Sequence, residues 1–435
     1  MPDIAESAEP EGKLHQAAKE TSAVSGVPKS VTENPYLLPA PMPTQEGPNG
    51  IRFDYTDGAR VFVPLREGRK WRVTLTDTDS ATVVYRAEVD QGLVASSKKY
   101  FVRFSLRVED VVPGEPDRLV HAHDYDPTGR IVLIQLPVGT LGDVLAWFPY
   151  AAKFARVHPA RVVCVLSEVF IPLFQNAYPD ITFRTRQQAE AEGLPRRAYA
   201  SYRLGLFFND TACDHQPTDF RFVGLHKTAA YILGVSQDEE RPRLVFDDES
   251  RPIEEPYVCI AAQASSQCKY WNNPHGWRDV VAFLKGRGYR VICIDREAVY
   301  GSGIVWNYMP WGVEDQTGNR PLAERARWLK HAEFFIGASS GLAWLAWAAG
   351  CPVVMISGFT HPTNEFHTPW RIINWHTCNS CWNDPTHQFD HKDFLWCPRH
   401  AGTSRQFECS RLIASEQVTR MVETLIRVKA AEVAS

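Results

Sequence analysis

From Arg130 onward the chain alternates short, unbroken apolar runs with stretches whose apolar residues recur at helical spacing. "RIVLIQLP" reads as a fully buried strand, "LGDVLAWFPYAAKFARVHP" as a helix, and "ARVVCVLS" and "RLGLFF" as further strands. A second set opens at Tyr257: strand "YVCIAAQ", helix "HGWRDVVAFLKGRG", strand "YRVICID", helix "PLAERARWLKHA", strand "EFFIGAS", helix "GLAWLAWAAG" and strand "CPVVMIS". Buried strands joined by amphipathic helices imply parallel sheets covered on both faces. The sets are divided near the polar stretch Asp247 to Pro256, which predicts two doubly wound, Rossmann-like domains facing a cleft, over residues 126–250 and 251–435. Upstream, Ile51 to about Leu119 carries short runs rich in Val, Thr and aromatics, with a hairpin turn at Asp57-Gly58. This predicts a small β-rich module over residues 36–125, which carries no legible chemistry. Residues 1–35 are polar and aperiodic and are expected to be a disordered leader.

Composition narrows the class. The 435 residues are 44% hydrophobic and 23% charged, with a net charge of −4. That balance provides no global field for nucleic acid or an anionic membrane. The N-terminal stretch has early acids and no apolar core, unlike a signal peptide. The longest apolar run, Leu342 to Ile356, is interrupted by Gly350 and Pro352 and is too short to span a bilayer. A cytoplasmic protein with reduced core thiols at Cys164, Cys213, Cys259, Cys268, Cys293 and Cys351 is expected.

Ligands of doubly wound sheets bind beyond the carboxyl ends of the strands. After the first strand, "PVGTLGDVLAWFP" places Asp143 in the first turn of a helix. A carboxylate there either complements the helix dipole or serves as a base facing the cleft. After Ile336, "GASSGLAWLAWAAGCPVV" runs through small residues into a helix opening at Ser340, Gly341 and Leu342, which fits either close packing or an anion held by free backbone N–H groups. Gln263 begins a polar, aromatic-rich loop carrying Lys269, a solvated cation or a phosphate partner. Glu297 follows the Asp295 strand, and Asn364 and Glu365 lie in "GFTHPTNEF"; both loops are positioned to contact a nucleotide or sugar. Neither a Walker motif nor GxGxxG is present, so NTP hydrolysis and dinucleotide redox chemistry are unsupported. An acid on one half facing a cation and a helix N-terminus on the other fits group transfer from a sugar nucleotide.

One stretch stands apart. Cys378, Cys381, Cys397 and Cys409 follow a C-x2-C, fifteen-residue, eleven-residue spacing. Four thiolates suit Zn²⁺ or an iron centre, and a closed shell of four makes the metal structural. The spacing departs from a zinc ribbon, which would close with a second C-x2-C, yet zinc comes first from its abundance. His376, His387, His391 and His400 are competing ligands.

"LGDVLAWFP" together with "GASSGLAWLAWAAGCPVV" resembles the bacterial heptosyltransferases. The β module and the four-cysteine segment resemble the autotransporter heptosyltransferases in particular, over most of the chain from about residue 36. The resemblance implies a GT-B fold with a metal finger over residues 374–410. It also implies inverting transfer of heptose from ADP-heptose to serines of an autotransporter passenger, without a catalytic metal. By match, Asp143 takes the proton, Thr140, Leu141 and Gly142 contact donor or acceptor, and Lys269 binds phosphate. The same resemblance implies one iron per chain on the four cysteines and assembly into a large homo-oligomeric ring. Two alternatives remain open: transfer to lipopolysaccharide core, and a metal-stabilised but inert scaffold or partner-binding protein.

Overall fold

A computed structural model describes residues 34–434. The predicted leader lies, up to residue 33, outside the described residues.

The two predicted parallel sheets are present. In the C-terminal half six strands lie in the order Glu314–Asp315, Arg290–Cys293, Tyr257–Ala261, Phe335–Ala338, Val353–Ser357, Arg371–Ile373, all parallel. Helices Gly276–Gly286, Leu322–His331 and Gly341–Ala348 supply the crossovers between them. The apolar run Leu342 to Ile356 resolves as expected into a buried helix and a buried strand, turned at Gly350 with φ +83°. The closing helix Ser415–Ala434, which the sequence reading did not separate out, packs Val418, Val422 and Leu425 into the core of this sheet.

In the N-terminal half the parallel strands run Thr182–Arg184, Arg161–Leu166, Ile131–Leu136, Ala200–Arg203, with helix Leu141–Val157 across them. The strand predicted over 203–208 is instead Ala200–Arg203. The chain leaves the sheet at Gly205, where the Tyr36 hydroxyl stands 2.2 Å from any added Cβ.

The segment 36–125 does not stand alone as a module. Strand Arg52–Thr56 pairs in parallel with Ala200–Arg203, Arg60–Val63 and Gly92–Ala95 continue outward from it, and the short Gln45–Glu46 also pairs with it, so the N-terminal sheet has eight strands. Only Lys70–Asp77, Thr82–Val89, Phe104–Val111 and Arg118–Asp124 form a separate antiparallel sheet. The shared core accounts for the join: Tyr55 stacks on Phe104, meets Tyr125 edge on and lies tilted against Tyr199, and all four rings are buried. Period-two alternation identifies a strand but not its neighbour, so the sequence could not reveal which sheet this one enters. The hairpin itself forms as read, with Asp54 the last residue paired, opposite Arg60, and Asp57 and Gly58 at φ +61° and +89° in the connection between them.

Among the described residues no helix is long and apolar enough to cross a membrane.

Candidate active site

The site is built where the two halves touch. Strand Ile131–Leu136 ends in a loop whose Gly139 adopts φ +107°. A Cβ there would lie 2.7 Å from the Cβ of Asp143, so glycine is what lets the loop fold over the carboxylate. Asp143 is the third residue of helix Leu141–Val157 and forms a capping box with Thr140, whose backbone N–H donates to Asp143 Oδ2. Asp143 thus caps its helix, and its carboxylate lies near enough to Lys269 and His391 to feel both. Burial pushes its carboxyl above the usual range, opposed first by Thr140, then by Lys269 and His391. A raised carboxylate is the better proton acceptor.

From the other half, helix Gly341–Ala348 meets this turn end on. A Cβ on Gly341 would come within 3.0 Å of Leu141 Cβ, and one on Gly142 would come within 2.9 Å of Trp344 Cδ1. The predicted trios Thr140–Leu141–Gly142 and Ser340–Gly341–Leu342 are thus brought together by glycine contact. Ser340 caps its helix by accepting from Ala343 N–H.

Several predicted contacts brace these loops. Glu365 is buried, with Oε1 accepting from Ser339 Oγ at 2.6 Å and Oε2 from Arg371 at 2.8 Å. Asn364 accepts from Trp382 Nε1 at 3.1 Å. Gln263 donates to the carbonyls of Ala298 and Asn307 and accepts from the Tyr270 hydroxyl, tying the donor-side loop to the hairpin Val299–Ser302/Val305–Tyr308. Glu297 is exposed beside Arg296.

Asp295, absent from the sequence candidates, anchors the same loop by accepting from Ala262 N–H at 2.7 Å and Gln263 N–H at 3.2 Å. Its burial raises the carboxyl to about 6. An acid raised on folding contributes stability below its unfolded value, near 4, that is lost as pH rises through about 6. The parent's stability relative to Asp295→Asn is accordingly expected to fall by about 3 kcal/mol between acid and neutral pH. Melting both proteins across that range checks it, and parallel pH profiles would remove Asp295 as the titrating group.

Lys269, from the C-terminal half, and Asp143 lie near enough to influence each other's charge. Burial lowers the Lys269 pKa, opposed by Cys268 and Asp143. Its ammonium lies 4.7 Å from the ring centre of Phe389 and 5.4 Å from that of Phe359, and donates to Ser265 Oγ at 3.3 Å. Phe389 and His391 belong to the cysteine segment, so this segment walls the site. Sequence reading missed that role because it weighed His391 only as a metal ligand.

Cys378, Cys381, Cys397 and Cys409 line one cavity of about 20 Å³, with Cys268, Phe359, Trp396 and His400 also around it. Burial raises the Cys381 and Cys409 thiols, and in both the neighbouring Cys378 raises them further. The space suffices for a single small occupant. Even so, among the described residues no group of three or more His, Cys, Asp or Glu is gathered closely enough to hold an ion as it stands. The predicted finger is therefore present as a segment, and its four-thiolate shell is not formed. His376, His387 and His391 do not line this cavity.

Comparison with known proteins places the chain. Residues 47–110 match the N-terminal domain of the glycosyltransferase TibC, and residues 215–393 match glycosyltransferase family 9 (heptosyltransferase). The chain is 52% identical to autotransporter heptosyltransferase BAHTCr of Citrobacter rodentium (strain ICC168), over 90% of this chain and 92% of that protein. It belongs to the autotransporter heptosyltransferase family. A crystal structure of a fellow member, the iron-containing dodecameric glycosyltransferase TibC from enterotoxigenic E. coli H10407, superposes with a TM-score of 0.83 at 50% identity, covering 90% of this chain and all of that one. Another relative, from Burkholderia thailandensis, is 44% identical over 89% of this chain and 88% of its own length and is named an inactive autotransporter heptosyltransferase, BimC. The expected GT-B-like heptosyltransferase fold and glycosyltransferase class are those of the family.

Proposed function

We propose that this autotransporter heptosyltransferase moves heptose from ADP-heptose onto serine hydroxyls of an autotransporter passenger, with inversion. The observation that carries the reading is Asp143 facing Lys269 across the meeting point of the two helix N-termini. Asp143 takes the serine Oγ proton as Oγ attacks the anomeric carbon. The bond from that carbon to the ADP oxygen breaks on the opposite face, and a single displacement inverts the centre. Lys269 and the N–H groups opening helix Gly341–Ala348 carry the charge that develops on the departing diphosphate. The relative TibC, solved in complex with ADP-D-beta-D-heptose, supports the donor.

The iron named in TibC supports iron here as well. Cys378, Cys381, Cys397 and Cys409 would hold it, since four thiols already share one cavity of suitable size. When bound, the metal fixes the segment's shape and leaves no open position for chemistry. The dodecameric relative likewise supports a homo-oligomeric ring. A cytoplasmic location, where core thiols such as Cys164 and Cys259 stay reduced, fits this reading.

An inert scaffold is the second reading, favoured by the relative named inactive. Incubation with ADP-heptose and an autotransporter passenger, followed by intact mass, separates the two: whole-heptose increments support transfer, and an unmodified passenger supports the scaffold. A lipopolysaccharide-core acceptor in place of the passenger tests the alternative substrate. Within the transfer reading, Lys269→Ala is expected to weaken ADP binding by about 1.5–3 kcal/mol, the worth of a charged hydrogen bond. Unchanged ADP affinity by calorimetry would contradict a phosphate role.

A further inference from the structure

We propose that His391, carried on the cysteine segment, is a sugar-contacting residue of the active site, hydrogen-bonding a hydroxyl of the transferred sugar beside the reacting carbon. This rests on the transfer reading above.

The geometry runs through three side chains. The Lys269 ammonium lies over the Phe389 ring at 4.7 Å, and the Phe389 ring meets the His391 ring edge on at 4.6 Å. Phe389 is buried and fixed by Phe359, Trp382 and Trp396, so it holds the imidazole on the Lys269 side of the cleft. The His391 ring is partly covered but keeps a side open to a ligand, and it does not line the cysteine cavity. A ligand role toward the metal therefore leaves its position unexplained, whereas a sugar in the cleft does not. The imidazole also feels both charged groups. Burial and Lys269 lower its pKa, and Asp143 opposes them. The ring is consequently neutral near pH 7, presenting one N–H donor and one acceptor nitrogen. A sugar hydroxyl both donates and accepts, so that pair suits it, and a neutral ring adds no second cation beside Lys269.

The test uses the full-length, metal-loaded protein with His391→Ala and His391→Gln. Binding of ADP and of ADP-heptose is compared by calorimetry, and transfer to a passenger is followed by intact mass. In the alanine variant, ADP-heptose affinity is expected to fall about tenfold while ADP affinity, iron content and assembly stay at parent values. Its turnover is expected to fall by about 10²-fold, as when one preorganised hydrogen-bond donor beside the reacting atoms is removed. Glutamine offers a donor and an acceptor and should recover part of both losses. Equal losses for ADP and ADP-heptose, or an activity loss that only follows lost iron or assembly, would overturn the assignment. So would parent-like sugar-nucleotide affinity and turnover in the alanine variant. If the parent binds ADP-heptose and His391→Ala weakens that binding selectively, the contact stands even where no passenger is modified, so failure of the transfer reading is told apart from failure of this one.

Discussion

Asp143→Asn is expected to lower transfer by about 10²–10⁴-fold, the usual worth of general-base assistance, with ADP binding unchanged. Asparagine is the sharper probe because Asp143 has a second duty. Its carboxylate accepts the Thr140 N–H that would otherwise be unsatisfied at the helix start. Alanine removes base and cap together and adds a stability loss of about 0.5–2 kcal/mol. The carboxamide keeps an oxygen for Thr140 and cannot take the serine proton. Comparing the two variants separates chemistry from folding: equal transfer defects with unequal melting points place the defect in the reaction. Parent-like turnover in Asp143→Asn would remove Asp143 from the mechanism.

Replacing any one of Cys378, Cys381, Cys397 or Cys409 by serine is expected to have the broadest effect. On the proposed four-thiolate site each variant loses the iron, and metal binding contributes on the order of 10 kcal/mol to segments that fold around it. The segment also presses Phe389 against Lys269 and presents His391 to the cleft. Misplacing such groups by about an ångström costs roughly 10²-fold in rate. Transfer per folded molecule should therefore fall by at least that much, beyond any loss of soluble protein. Elemental analysis beside specific activity decides it. One equivalent of zinc in the parent would refute iron and keep the architecture. A metal-free parent with normal transfer would end the proposal.

The sequence exposed the parts of this molecule that repeat a local rule. Unbroken apolar runs gave both parallel sheets, and small residues before helices marked the turns at Gly142 and Gly341, which structure shows in contact. What escaped was long-range pairing. Nothing in "RFDYT" says that Arg52–Thr56 seats itself beside Ala200–Arg203. Glu365 read only as a nucleotide or sugar contact because its partners, Ser339 and Arg371, come from two different strand ends. His391 lies within a run of potential metal ligands, and its link through Phe389 to Lys269 joins segments more than 100 residues apart.

That same pairing of Arg52–Thr56 with Ala200–Arg203 bears on how the protein is made. During synthesis the N-terminal sheet cannot close when its first strands leave the ribosome, because their neighbour is encoded almost 150 residues later. Until then Phe53, Tyr55, Val61 and Val63, all buried in the finished fold, wait with an open strand edge. Sequence separation of this size slows folding, since the loop must close before any contact rewards it. The nascent chain thus passes through an obligatory sticky interval, in which holdase chaperones and translation speed govern yield.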